Sequence, residues 1–225
     1  MEERRKYYEA YEDRYRQVHR ENLQWFSGTQ SNIVPEIIEK YKVGKTAKIL
    51  EIGCGEGRDA RFLLRNGFDV LATDIAPTAI AYCKKKDPAH ADRYSCLDCL
   101  GERFEAKFDY IYAVAVVHML VPDEDRDRFY QFYRDQLTDR GIGLICSMGD
   151  GSRQLQSDIT NAFEIQDRVH EPTGRVLRLA NTSCRMVSEA VFKEEILRNG
   201  LTIREMGTTS VEPDFPEMMY AVVSR

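Results

Sequence analysis

Residues 49–77 read ILEIGCGEGRDARFLLRNGFDVLATDIAP, which sets Gly53, Gly55 and Gly57 behind an apolar run. Asp74 stands about twenty residues further on, the distance at which nucleotide-binding folds place an acid. A glycine turn between a strand and a helix lets the backbone approach a ligand closely, because no Cβ stands in the way. A carboxylate closing the next strand can accept both hydroxyls of a ribose. The spacing here is GxGxG; the third position of the dinucleotide fingerprint GxGxxG falls on Arg58. Glu51 ends the first strand and Asp98 follows the third. Three acids at three successive strand ends fall along one carboxyl edge, where doubly wound sheets bind ligands.

Positioning these groups requires strands and helices in alternation. KILEI, FDVLAT, RYSCLD, FDYIYAVAV and GIGLICSM read as strands, and the unbroken apolar run of FDYIYAVAV suits a strand buried on both faces. Between them, RDARFLLRN, PTAIAYCKKK and DEDRDRFYQFYRDQL read as helices; Gly67 stops the first, and Pro77 starts the second. SEAVFKEEILRNG is a further helix, and LTIREMGTT and MMYAVVSR are two last strands around the turn-rich EPDFPE. The alternation predicts an α/β fold: a doubly wound, mostly parallel seven-stranded, Rossmann-like sheet with a C-terminal antiparallel hairpin. Ahead of it, the first 26 residues read as one helix with Tyr8, Tyr11, Tyr15 and Val18 on a stripe, until WFSGTQSN breaks the pattern. The expected organisation is an N-terminal helix and aromatic lid at 1–30 and a ligand-binding domain at 31–225.

The 225 residues are 43% hydrophobic and 31% charged, a globular balance. A net charge of −5 without a basic stripe argues against nucleic acid as a partner. No apolar run approaches the roughly 20 residues of a membrane helix, and MEERRKYYEAYEDRYRQ is too polar for a signal-peptide core. A cytoplasmic location is expected. The six cysteines are scattered, and Cys96 and Cys99 form a lone CxxC without the second pair that a zinc site would need, so no metal is expected.

LEIGCGEGRDA together with TDIAP resembles motifs one and two of the class I S-adenosylmethionine-dependent methyltransferases. That resemblance implies a glycine loop around the amino-acid end of the cofactor, an acid on the ribose after strand two and an acid near the adenine amine after strand three. Carried over position by position, it implicates Gly53, Cys54, Gly55, Asp74, Ile75, Asp98 and Cys99, with Glu51 and Val114 beside them. The longer stretch GCGEGRDARFLLRNGFDVLATDIA is similar to the tellurite-resistance and thiopurine branch of small-molecule methyltransferases. In that branch an N-terminal helix and an aromatic loop cover the cofactor, and Trp25 in WFSG occupies a comparable place. The implied reaction takes S-adenosyl-L-methionine to S-adenosyl-L-homocysteine and methylates a small molecule at S, Se/Te, O or N, in a monomer or homodimer without nucleic acid or membrane. A non-catalytic cofactor-binding protein is the alternative. A nicotinamide oxidoreductase is a weaker one, opposed by Arg58 and by the lack of a Tyr-xxx-Lys pair after strand four.

Individual residues carry two readings each. His118, after the fourth strand, is a catalytic and substrate-contact candidate; a lone histidine beside an apolar run is also an ordinary core residue. Tyr11 and Tyr15 are substrate candidates because aromatic faces attract a sulfonium, and the same rings would serve plain helix packing. Arg58, at the start of a helix, could meet the cofactor carboxylate or simply be solvated.

Overall fold

The computed structural model describes residues 5–26, 28–170 and 172–225, so residues 1–4 and Ser27 of the expected lid lie outside the described residues. Two helices come first, α1 (Ala10–Arg20) and α2 (Ile33–Lys40). Strands and helices then alternate: β1 (Lys48–Ile52), α3 (Arg58–Arg65), β2 (Asp69–Asp74), α4 (Pro77–Lys86), β3 (Tyr94–Cys96), β4 (Phe108–Val114), α5 (Asp123–Gln136) and β5 (Leu137–Met148). Four short strands follow: β6 (Leu155–Gln156), β7 (Ile165–His170), β8 (Arg175–Ala180) and β9 (Arg185–Met186). The chain then runs through α6 (Glu189–Arg198), β10 (Thr202–Val211) and β11 (Phe215–Ser224).

Among the described residues the main sheet has seven strands in the order β10-β11-β5-β4-β1-β2-β3. β1 pairs in parallel with β2 and β4, β3 with β2, and β5 with β4. β11 runs antiparallel to both β5 and β10, which is the expected terminal hairpin. The apolar run of β4 is buried at every position except Asp109, as a central strand covered on both faces requires. Ser188 caps α6, its side chain accepting from Val191 N at 3.3 Å. No helix among the described residues is long and apolar enough to cross a membrane.

The N-terminal segment departs from the single helix expected. A short 3-10 turn (Tyr7–Glu9) leads into α1, which stops at Arg20. Asn22 takes a positive φ of 56°. Its N–H donates to His19 O at 3.0 Å, and Leu23 N donates to Val18 O at 3.3 Å. These are the two bonds of a Schellman closure, with asparagine in the left-handed position that glycine more often fills. The chain therefore reverses at 21–23.

The strands between β5 and α6 were not foreseen as strands. β6 pairs with β9 and β7 with β8, each pair antiparallel and separate from the main sheet. The β7–β8 hairpin docks on α1. Arg14 is buried there and donates to Ala180 O at 3.1 Å, Asn181 O at 2.7 Å and the Thr182 hydroxyl, while Ala180 N donates to Gln17 Oε1 at 2.7 Å. Val18, Leu177 and Leu179 pack together behind that contact.

Arg126 of α5 and Glu195 of α6 form a fully buried ion pair, with Nη2 2.7 Å from Oε2 and Nε 2.7 Å from Oε1. Arg126 Nη1 also donates to Val117 O at 2.7 Å and Leu120 O at 3.2 Å, and Tyr130 donates to Glu195 Oε2 at 2.9 Å. The pair thus ties two helices to the turn that follows β4.

Candidate active site

The carboxyl ends of β1, β2, β3 and β4 open onto one cleft enclosing roughly 1050 Å³, its mouth included. Gly53, Gly55 and Gly57 have φ of 70°, 51° and 75°, the left-handed region that side chains resist. Space forbids a side chain as well at the first position: a Cβ on Gly53 would sit 2.4 Å from Val116 Cγ2. Gly53→Ala should therefore displace the loop and weaken cofactor-analogue binding at least tenfold, by the strain of a side chain at positive φ combined with overlap. Isothermal calorimetry on a variant whose melting curve is checked in parallel measures this, and unchanged affinity would contradict it.

Asp74 sits where the turn needs an acceptor. Its Oδ2 accepts from Gly55 N at 2.8 Å and its Oδ1 from Ala76 N at 2.8 Å, so the carboxylate joins the glycine loop to the start of α4. Burial pushes its pKa up to about 6 against the opposing pull of those amides. Glu51 is 4% exposed, and its Oε2 has no hydrogen-bond partner among the described residues. Burial, helped by the neighbouring Asp59, raises its pKa well above the carboxylate range. Asp98 accepts from Leu100 N at 3.0 Å through Oδ1, and from Lys6 Nζ at 2.6 Å and the Tyr8 hydroxyl at 3.2 Å through Oδ2.

Of the residues singled out in the sequence, Tyr11, Tyr15, Glu51, Gly53, Cys54, Gly55, Arg58, Asp74, Ile75, Asp98, Cys99 and Val114 all line this cleft. Arg58 does so with its guanidinium 5.7 Å from the Phe26 ring centroid, held by Asp59 and Asp214 at 3.5 and 3.4 Å. Two residues stand off the lining. Trp25 packs beside Tyr15, Ala76 and Ala79, with the Arg14 guanidinium 4.7 Å from its ring centroid. His118 is 4% exposed, with its ring 6.0 Å from that of Phe215 and its Nδ1 unpartnered among the described residues. Burial, with Arg126 and Arg14 adding to it, pushes the imidazole down to about 3, so it stays neutral at physiological pH.

Phe215 and Glu56 are among the lining residues that sequence reasoning missed. Phe215 opens β11, far along the chain from the glycine loop, and only the sheet order brings it to the mouth. Glu56 lies inside the glycine loop and is 4% exposed. A charged residue in a turn reads as solvated, and the donors that bury this one come from another segment.

Residues 50–142, which hold the glycine loop, Asp74, Asp98 and His118, match the family described as Methyltransferase domain. An S-adenosylmethionine-dependent methyltransferase from Clostridium acetobutylicum ATCC 824 superimposes with a TM-score of 0.65 at 14% identity, over 93% of this chain and 95% of that one. The Burkholderia thailandensis 1,6-didemethyltoxoflavin-N1-methyltransferase, solved with 1,6-didemethyltoxoflavin and S-adenosylhomocysteine, does so with a TM-score of 0.67 at 16% identity, over 92% and 83%. Likeness at such identities establishes the fold. The fold of this chain is the one these S-adenosylmethionine-dependent methyltransferase structures have. A 74-residue stretch is also 35% identical to Hemagglutinin 1 of Eikenella corrodens, covering 31% of this chain. The chain spans only 24% of that relative's length.

Proposed function

We propose that this chain binds S-adenosylmethionine in the glycine-floored cleft and, as a methyltransferase, transfers its methyl group to a small-molecule acceptor by direct displacement. The observation that carries this reading is the ring of three carboxyl groups, from Glu51, Asp74 and Asp98, around a loop that admits no side chain at Gly53. The residues fit the cofactor's chemistry. The unpartnered Oε2 of Glu51 suits an ammonium group, Asp74 suits a pair of ribose hydroxyls, and Asp98 suits an exocyclic amine. Bound there, S-adenosylmethionine would supply an electrophilic methyl on a sulfonium. Tyr11, Tyr15, Phe26 and Phe215 present apolar walls that exclude water from the meeting point.

Among the described residues the lining carboxylates other than Glu51 already accept from the chain's own donors, and Glu51 is taken by the ammonium in this reading, so the chain's contribution is alignment. That favours an acceptor whose nucleophile is already ionised or carries a free lone pair, such as a thiolate or a heavier chalcogen, in keeping with the tellurite and thiopurine resemblance. The described part of residues 1–30 serves as the cover in this reading, with Trp25 packed beside Tyr15 within it. The acidic balance suits a small molecule rather than a nucleic acid as acceptor, and six free cysteines suit the reducing cytoplasm.

Calorimetry should show binding of S-adenosylmethionine and S-adenosylhomocysteine and none of NADH. A screen of thiols, selenides, phenols and amines, read as S-adenosylhomocysteine release, tests turnover. Binding without release across the whole screen would leave a non-catalytic cofactor-binding protein. His118→Gln should reduce the rate with a thiol acceptor by no more than about threefold, since a thiolate needs no base. A loss of about 10²- to 10⁴-fold, restored by imidazole, would instead assign His118 the role of general base.

A further inference from the structure

We propose that Glu56 is a positioning residue that couples occupation of the glycine loop to closure of residues 19–26 over the cleft. Its carboxylate is buried between the two. Oε1 bonds His19 Nε2 at 2.7 Å and accepts from Trp25 N at 3.0 Å; Oε2 accepts from Trp25 N at 3.0 Å and Phe26 N at 3.1 Å. All of these donors come from one short segment, folded back on itself by the reversal at 21–23. The His19 ring is held in place by Tyr82, 4.8 Å away between centroids.

A buried carboxylate without donors is costly, so Glu56 is satisfied while residues 19–26 are down and left bare when they lift. On the other side, Glu56 is fixed by its neighbours in the chain, Gly55 and Gly57, and Gly55 N is bonded to Asp74. A ligand that orders the glycine loop and Asp74 therefore also holds Glu56 at the height where the segment can dock. Docking seats Phe26 beside Phe215, 5.8 Å between centroids, and so narrows the mouth through which the acceptor enters. The coupling deepens the cofactor reading given above and rests on it; the latch itself rests on the four contacts.

The protein has a single tryptophan, Trp25, within the latched segment, so its emission reports on the latch directly. Acrylamide quenching is measured on wild type, Glu56→Ala, Glu56→Gln and His19→Gln, with and without S-adenosylhomocysteine, with circular dichroism confirming that each variant is folded. In wild type the ligand should reduce quenching. In Glu56→Ala quenching should rise in the free protein and no longer respond to the ligand, and the KM for S-adenosylmethionine should rise about tenfold or more, as expected for loss of charged hydrogen bonds. Glu56→Gln, which keeps one acceptor oxygen, should recover part of both. Shielding of Trp25 in Glu56→Ala equal to that in wild type, with the ligand bound, would overturn the latch alone. Failure of wild type to bind S-adenosylhomocysteine in calorimetry would overturn the cofactor reading and the coupling with it.

Discussion

Asp74→Ala should weaken S-adenosylhomocysteine binding by roughly 5- to 150-fold or more, equivalent to about 1–3 kcal/mol for each charged hydrogen bond lost. The effect is large because the substitution removes more than a ligand contact. Gly55 N and Ala76 N, each 2.8 Å from the carboxylate, lose their acceptor, so the glycine loop and the start of α4 come apart at the same place. The pH dependence follows in sign. In the proposed site ribose hydroxyls would donate to the ionised form, and burial holds the Asp74 pKa up at about 6 in the free protein. Affinity should therefore climb as pH rises through that value and level off above it, and Asp74→Asn should flatten the curve. Stability of the free protein runs the other way. With its pKa raised on folding, Asp74 contributes stability that is fully present below about 4, the unfolded value, and is lost as pH passes through the folded one. Calorimetric titrations between pH 5 and 8 test the first dependence, and melting curves of wild type against Asp74→Asn test the second. A flat wild-type affinity profile would contradict the assignment.

Arg126→Met should cost about 3–5 kcal/mol of folding stability, because Glu195 would be left charged and fully buried with its main partner gone. The double variant Arg126→Met, Glu195→Leu should regain much of that loss, since two apolar side chains of similar size leave no bare charge. Denaturant melts of the three proteins give the comparison. A double variant no better than Arg126→Met would mean that the carbonyls of Val117 and Leu120, which lose their donor in both, carry most of the energy. Because those carbonyls belong to the turn bordering the cleft, the single variant should also raise the KM for cofactor.

The sheet was legible because its signals are local: an apolar run for β4, a proline at the start of α4 and glycines where α3 begins and ends. Much of the cleft lining was legible for the same reason, since Glu51, Asp74 and Asp98 stand at strand ends that the alternation itself predicts. What stayed hidden depends on pairing across long sequence distances. Arg14 reads as a solvated charge at the edge of the tyrosine stripe, yet it is buried because carbonyls at 180 and 181 come to meet it. Glu56 is hidden by the same mechanism, in the opposite sign of charge. β7 and β8 are short, and their outward face leaves Val169 and Val176 about 60% exposed, so no clean alternation marks them.

The docking of the β7–β8 hairpin on α1 bears on how this protein could change the molecule it accepts. The matched span 50–142 contains the glycine loop, Asp74 and Asp98, whereas α1 and the hairpin both lie outside it. They are joined to each other through Arg14 and Gln17, and just beyond the hairpin the Tyr11 hydroxyl donates to Ser183 O at 2.7 Å. Under the proposed function, acceptor choice would drift by remodelling these two outlying pieces while residues 50–142 stay untouched, and the two pieces would have to be inherited as a pair. A chimera that imports a foreign hairpin alone strands the Arg14 guanidinium in an apolar contact; one that imports the hairpin with its own N-terminal helix does not.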